Sequence, residues 1–548
     1  QLNTLIGSLA GDAITTGSEN IAIGYRALSA EDTNGLNVAI GNDSLMTQNA
    51  GTNAYNTAVG YHTGKLITTG IQNTFIGGLS GDANTTASNN TALGYNAMGA
   101  NTTGDSNVAI GSQAFTTNTV GDRNVAVGVG ALQTFNPASN ADTYNIGIGY
   151  AAGTSVTTGI RNVLIGGLAG DALTDADNNV AIGYNALTAD TLGSNSVAIG
   201  GGALQAQNFT SATNAYNTAV GHNAGLSVTT GQYNAILGGL AGDALTDADF
   251  NVAVGYHALS SDTLGSRTTA VGQGALFSQN FTSATDTYNT AVGYAAGVNV
   301  TTGQQNTLIG GLAGDSLTEA SYNVAIGVEA LAGDTLGSKS VAVGNAALRA
   351  QNFTSATDAF NTAVGHAAGL NVTTGIRNVL IGGLAGDAIT TSSYNVAVGH
   401  EALTAATTGN LNVAIGASAM GANTVGDRNI AIGYNALTTY NPASNEDSYN
   451  VAIGYAAGQS VTTGVQNTLI GGLAGDALTT GNYNVALGYA ALGAEDTRGR
   501  ATAIGYAALQ SQNADADSYN VAVGFEAGGA VTTGTENVFI GGLSGDAT

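Results

Sequence analysis

A five-residue phrase, seen as Asn37-Val38-Ala39-Ile40-Gly41, Asn179-Val180-Ala181-Ile182-Gly183 and Asn450-Val451-Ala452-Ile453-Gly454, recurs 31 times between Asn3 and Asn537. Its fifth place is always Gly and its fourth always Ile, Val or Leu, while its first is Asn except at Ser196, Thr268, Ser340 and Ala501. The usual spacing is 17 residues, stretched to 21 after Asn124, Ser196, Thr268, Ser340 and Asn429 and to 19 after Asn37 and Ala501. A helical hairpin repeat needs about 33 residues or more, so this period is too short for one. The phrase itself reads as a short strand closed by Gly. A second run such as Tyr184-Asn185-Ala186-Leu187 and a turn such as Thr191-Leu192-Gly193 account for the remaining residues. The predicted fold is all-β: a parallel β-solenoid, or β-roll, of about 31 coils, 17 residues per coil with two- or four-residue insertions. At about 4.8 Å per coil it makes a rod of roughly 150 Å.

A longer rhythm lies above the first. Gly-Gly-Leu-Ala-Gly-Asp, or a close variant, marks blocks 3–72, 73–161, 162–233, 234–305, 306–377, 378–466 and 467–536, with a partial block 537–548. These are expected to form one continuous solenoid over residues 1–548, a window of a longer repetitive protein. Fourth-place Ile, Val and Leu are expected to build the inward apolar ladder, opposite small residues such as Ala27, Ala186 and Ala258. Stacked Asn side chains are expected to satisfy turn amides, and fifth-place Gly to supply a bend open only to Gly.

Composition narrows the function. The chain carries 36 acidic against 11 basic residues, for a formal net charge of −25, which excludes DNA and RNA as phosphate-bound partners. It contains no Cys, so disulfides and thiolate metal sites are ruled out. No run of 18 apolar residues suggests a membrane-inserted helix in this segment. No helix follows the phrase Gly and no Lys stands beside it, so a phosphate-cradling loop has no support.

Five histidines, His62, His222, His257, His366 and His400, all fall one or two places after the fixed Gly, where other coils carry Tyr, Asn, Gln or Glu. They read as a tolerant outer face, and no catalytic residue is assigned. The Gly-Asp phrase repeats at Asp12, Asp82, Asp171, Asp243, Asp315, Asp387, Asp476 and Asp546, about 19 to 24 Å apart, too far to share one ion. Two local sets, Asp171, Asp175, Asp177 and Asp243, Asp247, Asp249, have the oxygen-rich character that calcium prefers and are the calcium candidates; no other cofactor is implied. Tyr falls before the Asn, as at Tyr144, Tyr216, Tyr288 and Tyr449, and after the Gly, as at Tyr25, Tyr184 and Tyr294, giving surface columns for subunit packing, coil stabilisation or a glycan ligand. The insertions carry Asn208-Phe209-Thr210, Asn280-Phe281-Thr282 and Asn352-Phe353-Thr354, which match the glycan-acceptor pattern, and the loops at Pro137 and Pro442. Thr at the thirteenth place, as at Thr157, Thr174 and Thr191, raises an ice-binding solenoid as a lesser alternative.

The phrase Asn-Val-Ala-Ile-Gly followed by a small residue, as from Asn107 to Ala114 and from Asn412 to Ala419, resembles the YadA-like head repeats of trimeric autotransporter adhesins, which also occur in bacteriophage tail-fibre proteins. The resemblance extends over all 31 coils, although the family's unit is near 14 residues rather than 17. It implies a left-handed roll, three chains packed side by side, and attachment at a cell surface or on a virion. The expected function is a non-enzymatic, structural and adhesive one. It would be a rigid extracellular fibre or fibre segment for surface attachment or matrix formation, with a bacteriophage tail fibre for host recognition as the alternative. The expected partners are further copies of the chain, as a homotrimer or filament, and a glycan or cell-surface receptor.

Overall fold

The computed structural model describes residues 2–546 and contains strands and turns with no helix. It is a parallel β-solenoid with one turn of the chain per 17-residue phrase. The chain falls into two compact units, Gln1–Thr268 with Asn280–Asp286, and Thr269–Gln279 with Thr287–Thr548. Counting the phrase Asn as place 1, places 2 to 4 of each coil form a three-residue strand.

In the first unit, Ile21, Ala22 and Ile23 face Val38, Ala39 and Ile40, each place beside the same place of the next coil. The register survives the insertions: Val197 and Ile199 face Thr218 and Val220 across a 21-residue spacing. The second unit pairs in the same way, as at Val379–Ile381 against Val396–Val398. Register therefore follows place number rather than residue count, and inserted residues are extruded as loops.

The core corrects one sequence expectation. Third-place residues point inward, with Ala181 fully buried, while Val180 and Ile182 on either side of it are only half-buried. Fourth-place Ile, Val and Leu thus line the outer face of the sheet; Leu237 is 49% and Leu487 42% exposed. The reason is width. Where the ninth residue is large, as at Leu187, it is buried together with Ala186 and the third-place Ala181, and a larger third-place side chain beside it would overpack the interior. β-branched residues at places 2 and 4 favour strand geometry without filling the core. Eighth-place Ala27, Ala186 and Ala258 are buried as expected.

Two side-chain devices hold successive coils. The backbone N–H of Asn179 donates to Asn162 Oδ1 at 3.0 Å, and Asn179 Nδ2 donates to the Gly193 carbonyl at 2.8 Å, closing its own turn. These Asn residues are fully buried, so the ladder satisfies amides that water cannot reach. Fifth-place Gly meets a different demand. Gly183 has φ of +139°, and a Cβ there would stand 2.5 Å from the Gly200 carbonyl oxygen of the next coil, so no other residue fits.

Two contrasting fillings of the interior recur. Where the ninth place is Leu, as at Leu187, the third is Ala181. Where the ninth is Gly170, the third is Leu164 and the twelfth Leu173, and both leucines reach within 2.8 Å of where a Gly170 Cβ would be. Leu187 and Gly170 share the left-handed backbone, at φ of 54° each. The ninth place is thus left-handed in either filling, and Leu accepts there a backbone cost of about 1–2 kcal/mol in exchange for core volume.

Candidate functional site

The insertions emerge at one position in the coil, after the twelfth place, and each returns to the sheet through Asp or Asn, a small residue, and Tyr or Phe. Asn208, Thr210, Ser211 and Ala212 are exposed while Phe209 is buried between them. The returning segment pairs with the preceding coil, Thr213–Asn214 against Gly193–Ser194 in the first unit and Thr357–Asp358 against Gly337–Ser338 in the second.

The scarce cations converge on these returns. Arg123 pairs with Asp142 and lies over the Tyr144 ring. Lys339 pairs with Asp358 at 2.6 Å and lies over Phe360, Arg428 pairs with Asp447 over Tyr449, and Arg500 pairs with Asp517 at 2.8 Å between Tyr483 and Tyr519. In the first unit Arg267 pairs with Asp286 at 2.9 Å, and the amides Asn195 and Asn214 take the same places at 2.8 Å. The Arg500 guanidinium holds the Asp517 carboxyl below its usual range. Each brace is exposed and weak singly.

Beneath the loops lies a set of buried acids that sequence reasoning missed. Asp190, at the twelfth place, accepts hydrogen bonds from Gly193 N at 2.9 Å, Phe209 N at 3.2 Å and Gln207 Nε2 at 2.6 Å. Gln207 Oε1 in turn accepts from Asn217 Nδ2 at 2.9 Å. Asp334, Gln351, Phe353 and Asn361 repeat the network in the second unit, and Glu31 with Gln48 and Glu495 with Gln512 carry longer versions. Burial pushes the Asp190 and Glu495 carboxyls up, against the lowering effect of their hydrogen-bond donors.

The calcium candidates are placed apart by their own bonding. Asp171 accepts from the Thr188 hydroxyl of the following coil, while Asp175 and Asp177 accept from Thr158 Oγ1 and Ile160 N of the preceding one. In the second set Asp243 accepts from Ser260, Asp247 from Thr230 and Asp249 from Gln232 N. Among the described residues no three His, Asp or Glu side chains are grouped closely enough to hold a metal ion.

His222, His366 and His400 are exposed, whereas His62 and His257 are half-buried. His62 Nε2 lies 3.2 Å from Asp43, which also receives Arg26 at 2.8 Å. Ser260 stands between His257 Nδ1, at 3.1 Å, and Asp243, to which its hydroxyl donates. The serine proton is held by the carboxylate, not by the imidazole, which is the reverse of what a nucleophilic serine needs. The Tyr columns form as expected but stack on themselves: Tyr216, Tyr233 and Phe250 at 5.7 and 4.9 Å, and Tyr489, Tyr506 and Phe525 at 5.6 and 5.2 Å. Thirteenth-place hydroxyls also point along the axis, Thr157 to the Thr174 carbonyl and Thr174 to that of Thr191.

A groove of about 590 Å³ lies in the second unit and is lined by Asp476, Tyr489, Gln510 and Ser511 around Gly493. A second of about 350 Å³ shares Gln510 and Ser511 and continues past Gly529 to Glu526 and Asp546. Burial pushes the Asp476 carboxyl up.

Comparison of the sequence with protein-family models and with curated proteins returns no match. Among the described residues no helix is long and apolar enough to cross a membrane.

Proposed function

We propose that this chain is a non-enzymatic structural and adhesive protein, a rigid extracellular fibre or fibre segment serving surface attachment or matrix formation at a cell surface or on a virion. The observation that carries this reading is the unbroken place-for-place register within each unit, which holds across every insertion. Pulling along the axis loads in-register backbone hydrogen bonds and the Asn ladder together, so stiffness is distributed over every coil. The outward second and fourth places supply an apolar face, with Ile309 and Ile381 37% and 39% exposed, of the kind that marks association surfaces. Copies of the chain pack side by side through this face, three in number as the resemblance to adhesin heads implies, and the loop edge is left outward for a glycan or a cell-surface receptor. Sedimentation velocity of the purified chain at micromolar concentration tests this: an elongated species of three chains is expected, and a monomer at all concentrations overturns the packing.

A further inference from the structure

The Gly-Asp aspartates use one recurring chemistry. Asp171 accepts a hydrogen bond from Thr188, Asp243 from Ser260 and Asp387 from Thr404, in each case an alcohol at the tenth place of the next coil. The fold thus demonstrates three times that this carboxylate, in this setting, takes an alcohol O–H. At Asp476 the alcohol is missing, because the next tenth place is Gly493. A Cβ on Gly493 would stand 3.6 Å from Asp476 Oδ1, in the direction from which the sister hydroxyls approach.

Beside Asp476 the missing side chain leaves open space. At the related pair Asp82 and Gly99, the Asn96 side chain fills the gap, its Oδ1 2.1 Å from where a Gly99 Cβ would be. The residue matching Asn96 is Ala490, and the space stays open as the groove of about 590 Å³. An aromatic face borders it. Tyr489 begins its stacked column: Tyr506 covers one side, while on the other the matching residue is Gly472, whose absent Cβ would lie 3.4 Å from the Tyr489 ring. That ring face has no aromatic neighbour, and Tyr489 is 51% exposed. Gln510 and Ser511 add an amide and a hydroxyl at the groove wall.

We infer that this groove binds a neutral saccharide, with a sugar hydroxyl donating to Asp476 in place of the missing Thr or Ser, and the C–H face of the ring against Tyr489. Gln510 and Ser511 bond further hydroxyls. The adjoining groove offers a further carboxylate, since a Gly529 Cβ, in the coil before Asp546, would stand 3.6 Å from Asp546 Oδ1. The two grooves share Gln510 and Ser511, so a chain of several sugars running along the axis fits better than a single one. Asp476, Glu526 and Asp546 repel anionic sugars, which selects neutral or N-acetylated ones. The site deepens the adhesive reading and rests on it only for its biological use.

The test is a glycan array printed with neutral, N-acetylated, sialylated and uronic-acid oligosaccharides, probed with the full chain. Retention on the neutral or N-acetylated set is expected, with the strongest hits titrated in solution. Gly493→Thr restores the sister alcohol and occupies the place of the sugar hydroxyl at Asp476; Gly493 lies outside the left-handed region, so Thr is conformationally acceptable there. It should weaken binding at least tenfold at an unchanged melting temperature. Tyr489→Ala should do the same by removing the ring face. Absence of binding to any neutral or N-acetylated saccharide at millimolar concentration, preference for acidic glycans, or binding indifferent to Gly493→Thr overturns the proposal. Electron micrographs of the same samples separate this outcome from failure of the fibre reading, which predicts unchanged assemblies in every variant.

Discussion

The coil from Asn162 to Asn178 and the coil from Ser196 to Tyr216 enclose the same interior by opposite means. The first is apolar, with Leu164 and Leu173 closing over Gly170. The second places Ala198 and Leu204 beside a buried Gln207, which bonds Ser196 Oγ at 3.0 Å as well as Asp190 and Asn217. Its first place is Ser rather than Asn because Gln207 takes over the task of reaching the next Asn. Ser340 with Gln351 shows the same exchange in the second unit. The comparison teaches that a coil without an insertion can close on hydrocarbon alone. The coil from Ser196 extrudes its loop with polar groups inside that catch backbone amides the detour leaves behind, whereas the coil from Asn124 encloses Phe135 at the same place.

The sharpest way to break this picture is at the element both coils share. Gly183→Val is expected to unpair the sheet locally, since its Cβ would collide with the Gly200 carbonyl in a conformation Val does not adopt; a loss above about 4 kcal/mol is expected. Because solenoids melt in parts, hydrogen exchange of neighbouring coils is the proper readout. Next, Leu164→Ala should cost about 2–5 kcal/mol by opening a cavity against Gly170. Ile165→Ala, one residue along but facing out, should cost under about 1 kcal/mol. Equal losses would mean that the outward and inward faces are misassigned.

The polar coil is tested by Asp190→Ala, which strands the Gly193 and Phe209 amides and should cost about 1–3 kcal/mol for each buried donor left unpaired. Asp190→Asn should cost much less, because Asn118 already accepts from Gly121 N at 2.9 Å at the matching place. If the two variants melt alike, the carboxylate does not anchor the loop. Acidity separates the networks further. Burial raises the Asp190, Asp315, Asp476 and Glu495 carboxyls, so the folded chain binds their protons more tightly than the unfolded chain. The stability they contribute is full below the ordinary carboxylate range and is lost as pH rises through the raised values. Thermal stability should therefore rise as pH falls from neutrality toward the ordinary carboxylate range; a fall over that descent would contradict the assignment. The smallest effect belongs to the exposed braces: Arg500→Ala should loosen the loop before Tyr519 at low ionic strength, seen as faster proteolysis, with the difference fading in high salt. The net charge of −25 also predicts bundling in calcium or magnesium, read by light scattering with and without chelator.

Much of the fold was legible because the period is explicit. The strand phrase, the Asn ladder, the obligatory Gly and the insertion sites all follow from the recurrence. The direction of the core did not, for a definite reason. Val-Ala-Ile has an apolar residue at every place, so alternation alone cannot say which face is buried, and Ala looks the least core-like of the three. Smallness is the inward signal only where the ninth place is a large residue such as Leu187; where it is Gly, as at Gly170, a large third-place residue such as Leu164 points in. The buried acids were hidden by position, because Asp190 stands in what reads as a polar turn. One signal could have exposed them: an acid at the twelfth place is followed 17 residues later by Gln at Gln48, Gln207, Gln279, Gln351 and Gln512. The groove at Asp476 was invisible in sequence because it arises from absences, Gly493 and Ala490 standing where sister coils carry Thr188 and Asn185.

The account's central claim, that the chain builds a stiff fibre from in-register coils packed copy against copy, is met most directly by cryo-electron microscopy of the native material. The predicted result is three chains in cross-section, an axial layer line near about 4.8 Å, and loop ridges facing outward. Single chains without that layer line, or copies joined through their loop edges with the apolar sheet face left to solvent, would contradict it.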